Sequence, residues 1–437
     1  MPAGSRIERY FEFEALGTNW RTEVLAGATT FVTMAYVIFV NPAILHDAGM
    51  PVAAVTAATC LSAAIGSLLM GAFARYPIAL APGMGLNAYF AYSVVKGMGI
   101  PWQVALGAVF ISGILFAVLT LAGVIREVVS AIPTELDSAI AAGIGLFLAL
   151  MGFRNSGIIV SDPSTMVAMG NLRNPTTLLA IFGLLLTSAL MAWNVKGAML
   201  IGVLATTAVG AAAGLITWAP QMYSFADISA TTFKLDLPAA LELGFLEIVF
   251  VFFFIDVFDN VGTLVGVGKK AGLFDEASHI PRVNRILISD AAASIAGALT
   301  GTSTVVNYVE SAAGVVAGGR SGVTAIVAGL LFLAAIFVAP VFGLIPAAAT
   351  APVLILIGCL MISHISEINW TDPVIAVPAF LTMTAIPLSF SIANGIAFGF
   401  TAYTLLKVLR GESRKVSWLV YLLTALFIAR FLYLGAG

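Results

Sequence analysis

The chain is poor in charge, cysteine and histidine, and each shortage removes a class of function. Only 10% of its 437 residues are Asp, Glu, Lys or Arg, and 60% are hydrophobic. A soluble domain carries about 25% charged residues. So much apolar surface exceeds what an interior can hide, so lipid must be the solvent around most of it. The 20 Lys and Arg against 22 Asp and Glu leave no basic excess, and no nucleic-acid partner is implied. The two cysteines, Cys60 and Cys359, lie far apart in apolar stretches and make neither a disulfide framework nor a metal cluster. The three histidines, His46, His279 and His364, fall in expected loops or helix ends. No metal-ligand spacing, Ser/His/Asp set or nucleotide-hydrolysing domain appears, so neither an enzyme nor a cofactor is expected. GMGLNA has the outline of a dinucleotide-binding turn but no strand–helix unit around it, and the GKK at 268–270 lacks the rest of a phosphate-binding loop.

What is present is a series of apolar runs of spanning length, about 20 residues each. They lie near 24–42, 52–74, 77–96, 101–125, 132–153, 175–193, 196–218, 244–267, 284–301, 303–318, 321–341, 345–363, 372–388 and 390–409. The expected fold is therefore an all-α polytopic membrane protein of about fourteen spans. A fifteenth run, 416–434, either spans or lies along the interface. The polar start, residues 1–23, has no apolar core or small-residue cleavage site of a signal peptide, so the first span is expected to act as its own targeting signal. With that start in the cytoplasm, the opposite side receives only Lys96, Arg154, Arg173 and Lys234. Arg6, Arg9, Arg21, Arg75, Arg126, Lys269, Lys270, Arg282 and most other cations fall inside. This asymmetry is that of a multi-pass plasma-membrane protein with a cytoplasmic N-terminus, such as one in a bacterial inner membrane.

The halves 24–218 and 244–409, joined by a linker at 219–243 and followed by a segment at 410–437, read as copies. Pro133 stands twelve residues before Gly145 in IPTELDSAIAAGIG, and Pro346 twelve before Gly358 in IPAAATAPVLILIG. Spans three and ten are both short and interrupted. Seven spans is odd, so consecutive copies would be inverted, the arrangement in which secondary transporters place their site at midplane among broken helices.

Charge within the bilayer is costly and points to function. Asp256 and Asp259 in VFVFFFIDVFDNVGTLVGV and Glu310 in GTSTVVNYVESAAGVV stand within spans that carry no Lys or Arg to neutralise them. Asp256 and Asp259, three apart, share a helical face. Asp290 and Asp137 read as residues near helix ends, capping or facing water. In span three, PIALAPGMGLNAYFAY, Pro77, Pro82, Gly83 and Gly85 oppose a continuous helix, and Asn87 suits the N-cap of a half-helix. Two half-helix N-termini in one site would offer free N–H groups and positive dipole ends to a polar ligand. Uphill transport would then need an ion gradient, with the carboxylates as proton carriers.

TTFVTMAYVIFVNPAIL, IALAPGMGLNAYFAY, FFFIDVFDNVGTLVGV and GTSTVVNYVESAAGVVAGGRSGVTA, in this order, resemble the AzgA-like adenine/guanine/hypoxanthine permeases of the nucleobase–cation symporter group. The resemblance runs from about residue 7 to the C-terminus. It implies a seven-plus-seven inverted repeat, with a core domain of spans 1–4 and 8–11 and a gate domain of spans 5–7 and 12–14. It implies proton-coupled purine uptake by alternating access. By position it makes Asn87, Asp256 and Glu310 the substrate-binding set, adds Tyr308 as a pocket-lining residue, and marks Asp259 for proton coupling and translocation. Xanthine and uracil carriers have a Gln/Glu-Asn-x-Gly run after the binding residue; here Ser311 follows Glu310 and the glycine is Gly314. That departure favours the purine branch. An anion carrier of sulfate or bicarbonate type, a uracil or xanthine carrier of the same fold, and an uncoupled channel or scaffold stay open. So do sodium in place of the proton, which purine is preferred, and a homodimer.

Overall fold

The computed structural model describes residues 6–125, 133–216, 224–242, 246–271, 282–342 and 345–433. His279, Arg126, the start of the 132–153 run and the ends of the 219–243 linker lie outside them.

The apolar runs form helices: α1 (Trp20–Met34), α2 (Val37–Asp47), α3 (Val52–Leu69), α4 (Met84–Ala88), α5 (Trp102–Leu121), α6 (Thr134–Asn155), α7 (Pro175–Ala192), α8 (Ala198–Ala212), α9 (Leu246–Ala271), α10 (Val283–Thr300), α11 (Ser311–Val316), α12 (Gly322–Phe342), α13 (Ala347–Ile362), α14 (Pro373–Ser389), α15 (Ile392–Leu409) and α16 (Trp418–Tyr433). Their starts are set by capping chemistry. The Asn19, Asn174, Asp372 and Ser391 side chains accept hydrogen bonds from backbone N–H groups of the first turns of α1, α7, α14 and α15. Pro175 and Pro373 then occupy first-turn positions that need no N–H partner. Among the described residues, eight helical stretches are long and apolar enough to cross a membrane, with Ala198–Ala212, Pro373–Ser389 and Trp418–Ala429 as shorter apolar helices. The fold is that of a mostly helical membrane protein.

The exceptions to helix sit where Gly, Pro and Thr crowd the sequence. β1 (Leu80–Pro82) precedes α4, and β4 (Val305–Asn307) precedes α11. The two strands pair antiparallel, Leu80 opposite Asn307 and Pro82 opposite Val305. Gly83 extends the pairing by donating from its N–H to the Thr304 carbonyl at 3.0 Å. Such backbone is tolerated at membrane depth because protein covers it, and every residue of both strands is buried. A peripheral hairpin, β2 (Ile159–Asp162) with β3 (Met166–Met169), follows α6.

Two serines hold the crossed strands in matching ways. The Leu80 N–H donates to Ser67 Oγ of α3 at 2.9 Å, and that hydroxyl donates to the Leu80 carbonyl at 3.2 Å. The Val305 N–H donates to Ser294 Oγ of α10 at 3.2 Å, and that hydroxyl donates to the Val305 carbonyl at 2.9 Å. Around this centre α3 packs on α10 and α12, and α5 packs on α9 and α10; elsewhere α6 packs on α13 and α14, and α7 on α8 and α13.

Two local expectations need correction. Asn87 is not an N-cap: Gly83 caps α4, and Asn87 lies inside it, fully buried. Asp290 neither caps nor faces water; it stands in the middle of α10 with no exposed surface. Asp137 does lie near a helix end, half-buried in the first turn of α6, whose N-cap is Pro133.

Candidate functional site

The crossing of β1 and β4 gathers the singled-out residues. Helix α4 starts immediately beyond β1 and continues in a wider π-helical winding over Tyr89–Gly97. Helix α11 starts just after β4, with Glu310 at its N-cap. Two helix N-termini therefore face the crossing from opposite directions, and their first N–H groups make it attractive to electron-rich atoms.

Asn87 projects from the first of these helices. Its Oδ1 accepts a hydrogen bond from Ser303 Oγ, and its Nδ2 is buried without a partner. That fixes the amide with a donor to spare. Tyr308 is buried, and its hydroxyl donates to the Pro82 carbonyl at 2.6 Å, tying the residue after β4 back to β1. Glu310 is half-buried, and its Oε1 accepts from the Tyr36 hydroxyl at 2.7 Å. Tyr36 reaches it because the first span is broken at Ala35–Tyr36, between α1 and α2.

Asp256 and Asp259 differ in surroundings despite their shared face. Asp256 is fully buried. Its Oδ1 accepts from Asn260 Nδ2 at 2.8 Å, and Ser294 Oγ lies 3.5 Å from its Oδ2. The Asn260 Oδ1 in turn accepts from the Asn307 N–H at 2.8 Å, which links the carboxylate to the end of β4. Asp259 is exposed. It stands within Coulombic range of Glu310 across the site and of His364, which follows α13. Asp137 of α6 faces Asp259 at similar range. Val309, beside Glu310, is also exposed, at 56%.

Beyond α4, hydrogen bonds tie its π-helical continuation to neighbouring elements, and Asp47 and Asn155 there also line a cavity between α2, α6 and α13. The Tyr92 hydroxyl donates to Asp47 Oδ2 at 2.9 Å and lies 3.5 Å from Asn155 Nδ2 at the end of α6. Ser93 Oγ donates to the Phe390 carbonyl between α14 and α15 at 2.9 Å. A buried polar centre with an exposed acid, Asp259, beside it suits a small polar solute. Among the described residues no cluster of three or more His, Cys, Asp or Glu is placed to hold a metal ion.

Comparison with known proteins decides the class. A family model described as Permease family (Xan_ur_permease) matches residues 21–400. The chain belongs to this permease family. It is a transporter and not an enzyme. The permease is 43% identical over 430 residues to the adenine permease AdeP of Escherichia coli, covering 98% of this chain and 97% of that one. It is 44% identical over 444 residues to the guanine/hypoxanthine permease PbuG of Bacillus subtilis, covering 98% and 100%. In fold it is similar to the transmembrane domain of the cyanobacterial bicarbonate transporter BicA, with a TM-score of 0.65 over 87% of this chain and 97% of that one. At 15% sequence identity this second likeness concerns the fold alone.

The structure thus places Asn87, Asp256, Tyr308 and Glu310 of the permease around one strand crossing, with Asp259 exposed one turn beyond Asp256. Sequence reasoning missed Tyr36, Ser303 and Asn307, and singled out Asp290 only as a weaker candidate near a helix end. Tyr36 and Ser303 carried no signal, since a lone hydroxyl in an apolar run is ordinary. Asp290 did carry one: an acid six residues into an apolar run and a full helical turn or more from any end of it.

Proposed function

We propose that the permease takes up purine bases – adenine, guanine and hypoxanthine – by proton-coupled alternating access. The observation that carries this reading is the pairing of an amide with a spare buried donor, Asn87, with two carboxylates, Asp256 and Glu310, at the crossing of β1 and β4. A purine offers N–H donors on one edge and lone pairs on another. Guanine presents N1–H and an exocyclic amine side by side, which one carboxylate accepts as a bidentate pair. Asn87 donates to a ring nitrogen or a 6-oxo group, and Tyr308 lines the pocket. The relatives named adenine permease and guanine/hypoxanthine permease support the same substrate class. Carboxylates at the centre disfavour an anion as cargo.

In this reading the chain crosses the bacterial inner membrane fourteen times, from a cytoplasmic N-terminus, as two inverted repeats of seven. The matching serine clamps, Ser67 on β1 and Ser294 on β4, support the repeat. So do the matching proline N-caps of α6 and α13. Helices α1–α5 and α9–α12 form the core that carries substrate, and α6–α8 and α13–α15 form the gate. The exposed side at Asp259 faces the cytoplasm. Asp259, reached by water, takes up and releases the coupled proton. Uptake of labelled adenine, guanine and hypoxanthine at two pH values, with uracil and sulfate as competitors, tests the reading. Competition by sulfate and not by purines would overturn it.

A further inference from the structure

Asp256 has a buried acidic neighbour with no assigned role. Asn260 Nδ2 lies 2.8 Å from Asp256 Oδ1, 2.9 Å from the Asp256 carbonyl and 2.5 Å from Asp290 Oδ2. The amide cannot be turned round, because its Oδ1 accepts the Asn307 N–H. Its two hydrogens are therefore shared between two carboxylates that have no exposed surface.

Among the described residues no cation is paired with either of them. Helices α3 and α5, which pack on α10, contain no Asp, Glu, Lys, Arg or His, and neither do β1 and β4. The other titratable groups facing the pair are Asp259 on α9 and, beyond it, Glu310, Asp137 and His364 across the site, with Tyr36 and Tyr308 beside Glu310. Arg285 on α10 stacks its guanidinium over the Phe73 ring at 5.6 Å. Lys269 and Lys270 stand about 20 Å further along α9, at 1.5 Å per residue. Two negative charges so close and so dry are not held without a proton or a cation. The partners decide which acid carries it. Asp256 Oδ1 accepts from Asn260, and its Oδ2 lies 3.5 Å from Ser294 Oγ, whose one hydrogen goes first to the Val305 carbonyl at 2.9 Å, whereas Asp290 Oδ1 is buried with no partner at all.

We propose that Asp290 is a positioning residue that keeps one resident proton and, through Asn260, leaves Asp256 as the charged acceptor beside the strand crossing. The proton is distinct from the one that Asp259 exchanges: Asp259 is exposed, and Asp290 is sealed between α9, α10 and β4. The role in transport rests on the proposed function, but the charge state does not.

Infrared difference spectroscopy of the purified full-length permease in detergent at neutral pH reads that charge state directly. A carboxylic-acid C=O band that resists exchange into deuterium oxide is expected in the parent. It disappears in Asp290→Asn, persists in Asp259→Asn and shifts in Asn260→Ala, which removes the N–H donor. Asp290→Asn, neutral and of the same shape, binds adenine within about tenfold of the parent, while Asp290→Ala loses about 30-fold or more. A band unchanged in Asp290→Asn and unmoved in Asn260→Ala overturns the proposal. Should Asp290→Asn fail to fold, the Asn260→Ala shift alone reads the proton. The expected bands with no adenine binding by any form, the parent included, would leave the resident proton standing and count against the purine reading instead.

Discussion

Gly145 and Gly358 stand back to back where α6 crosses α13. A Cβ at 145 would lie 2.8 Å from the Gly358 carbonyl oxygen, and one at 358 would come closer still to the Gly145 carbonyl. These are the glycines that follow Pro133 and Pro346 at the same spacing in the two halves of the sequence, so each half supplies one side of the contact. Helices in lipid gain little from hydrophobicity and depend on such close approach. Gly145→Val or Gly358→Val is expected to destabilise the fold by about 1–3 kcal/mol, measured as a lower melting temperature in detergent. The double variant should lose less than the sum of the two, because either one already separates the helices.

Glu23 is a second structural test. It is fully buried and accepts hydrogen bonds from the N–H groups of Arg320 and Ser321 at 3.0 and 3.1 Å and from Thr324 Oγ1 at 2.6 Å. It thus caps the start of α12 from α1. Glu23→Ala strands these donors and should cost about 3 kcal/mol, with Glu23→Gln intermediate. Equal melting temperatures for Glu23→Ala and the parent would show that the cap contributes nothing.

Recognition of the base is expected to run through Glu310. Glu310→Gln replaces one acceptor oxygen with a donor and should weaken guanine most, since guanine uses both oxygens. The loss of a charge-assisted hydrogen bond is about 1.5–3 kcal/mol, or about 10- to 150-fold in affinity. Tyr36→Phe, which frees Glu310 Oε1 from its donor, should change the same affinities by less. Small and equal losses for all three bases in Glu310→Gln would remove Glu310 from the contact.

How much of this was legible in the sequence depends on what fixes each element. The helices were legible because apolar runs of spanning length leave the chain no other way to satisfy its backbone in lipid. The interruptions were legible from Pro77, Pro82, Gly83 and Gly85 in span three and from the β-branched run Thr304, Val305 and Val306 in span ten, though not that the two segments would pair as strands, since pairing is a contact between distant parts of the chain. Asp256 and Glu310 announced themselves by charge. The environment that separates Asp256 from Asp259 did not, because helical spacing gives a shared face and says nothing of the neighbour that covers only part of it. Asp290 was read as a helix-end residue although an expected start near 284 already put it beyond the first turn, the reach of capping acids. Tyr36 enters the site only through the break between α1 and α2, which no residue in TTFVTMAYVIF foretells.

Nucleosides should not be carried. On the proposed reading the base sits between the N-termini of α4 and α11, where an added ribose would have to displace one of them. Adenosine and guanosine at large excess should leave labelled hypoxanthine uptake intact, and strong competition by either would show a wider site.

The most direct test of the account is pH-jump uptake of labelled adenine and guanine in proteoliposomes, comparing the parent with Asp259→Asn. The parent should accumulate base above the external concentration when the outside is made more acidic, and lose that accumulation when the proton gradient is collapsed. Asp259→Asn, a permanent mimic of the protonated acid, should still bind and exchange base but neither accumulate it nor respond to pH; Asp256→Asn should lose binding. Concentrative, pH-dependent uptake by Asp259→Asn would contradict the assignment of the proton, and no purine uptake by correctly inserted parent protein would contradict the function.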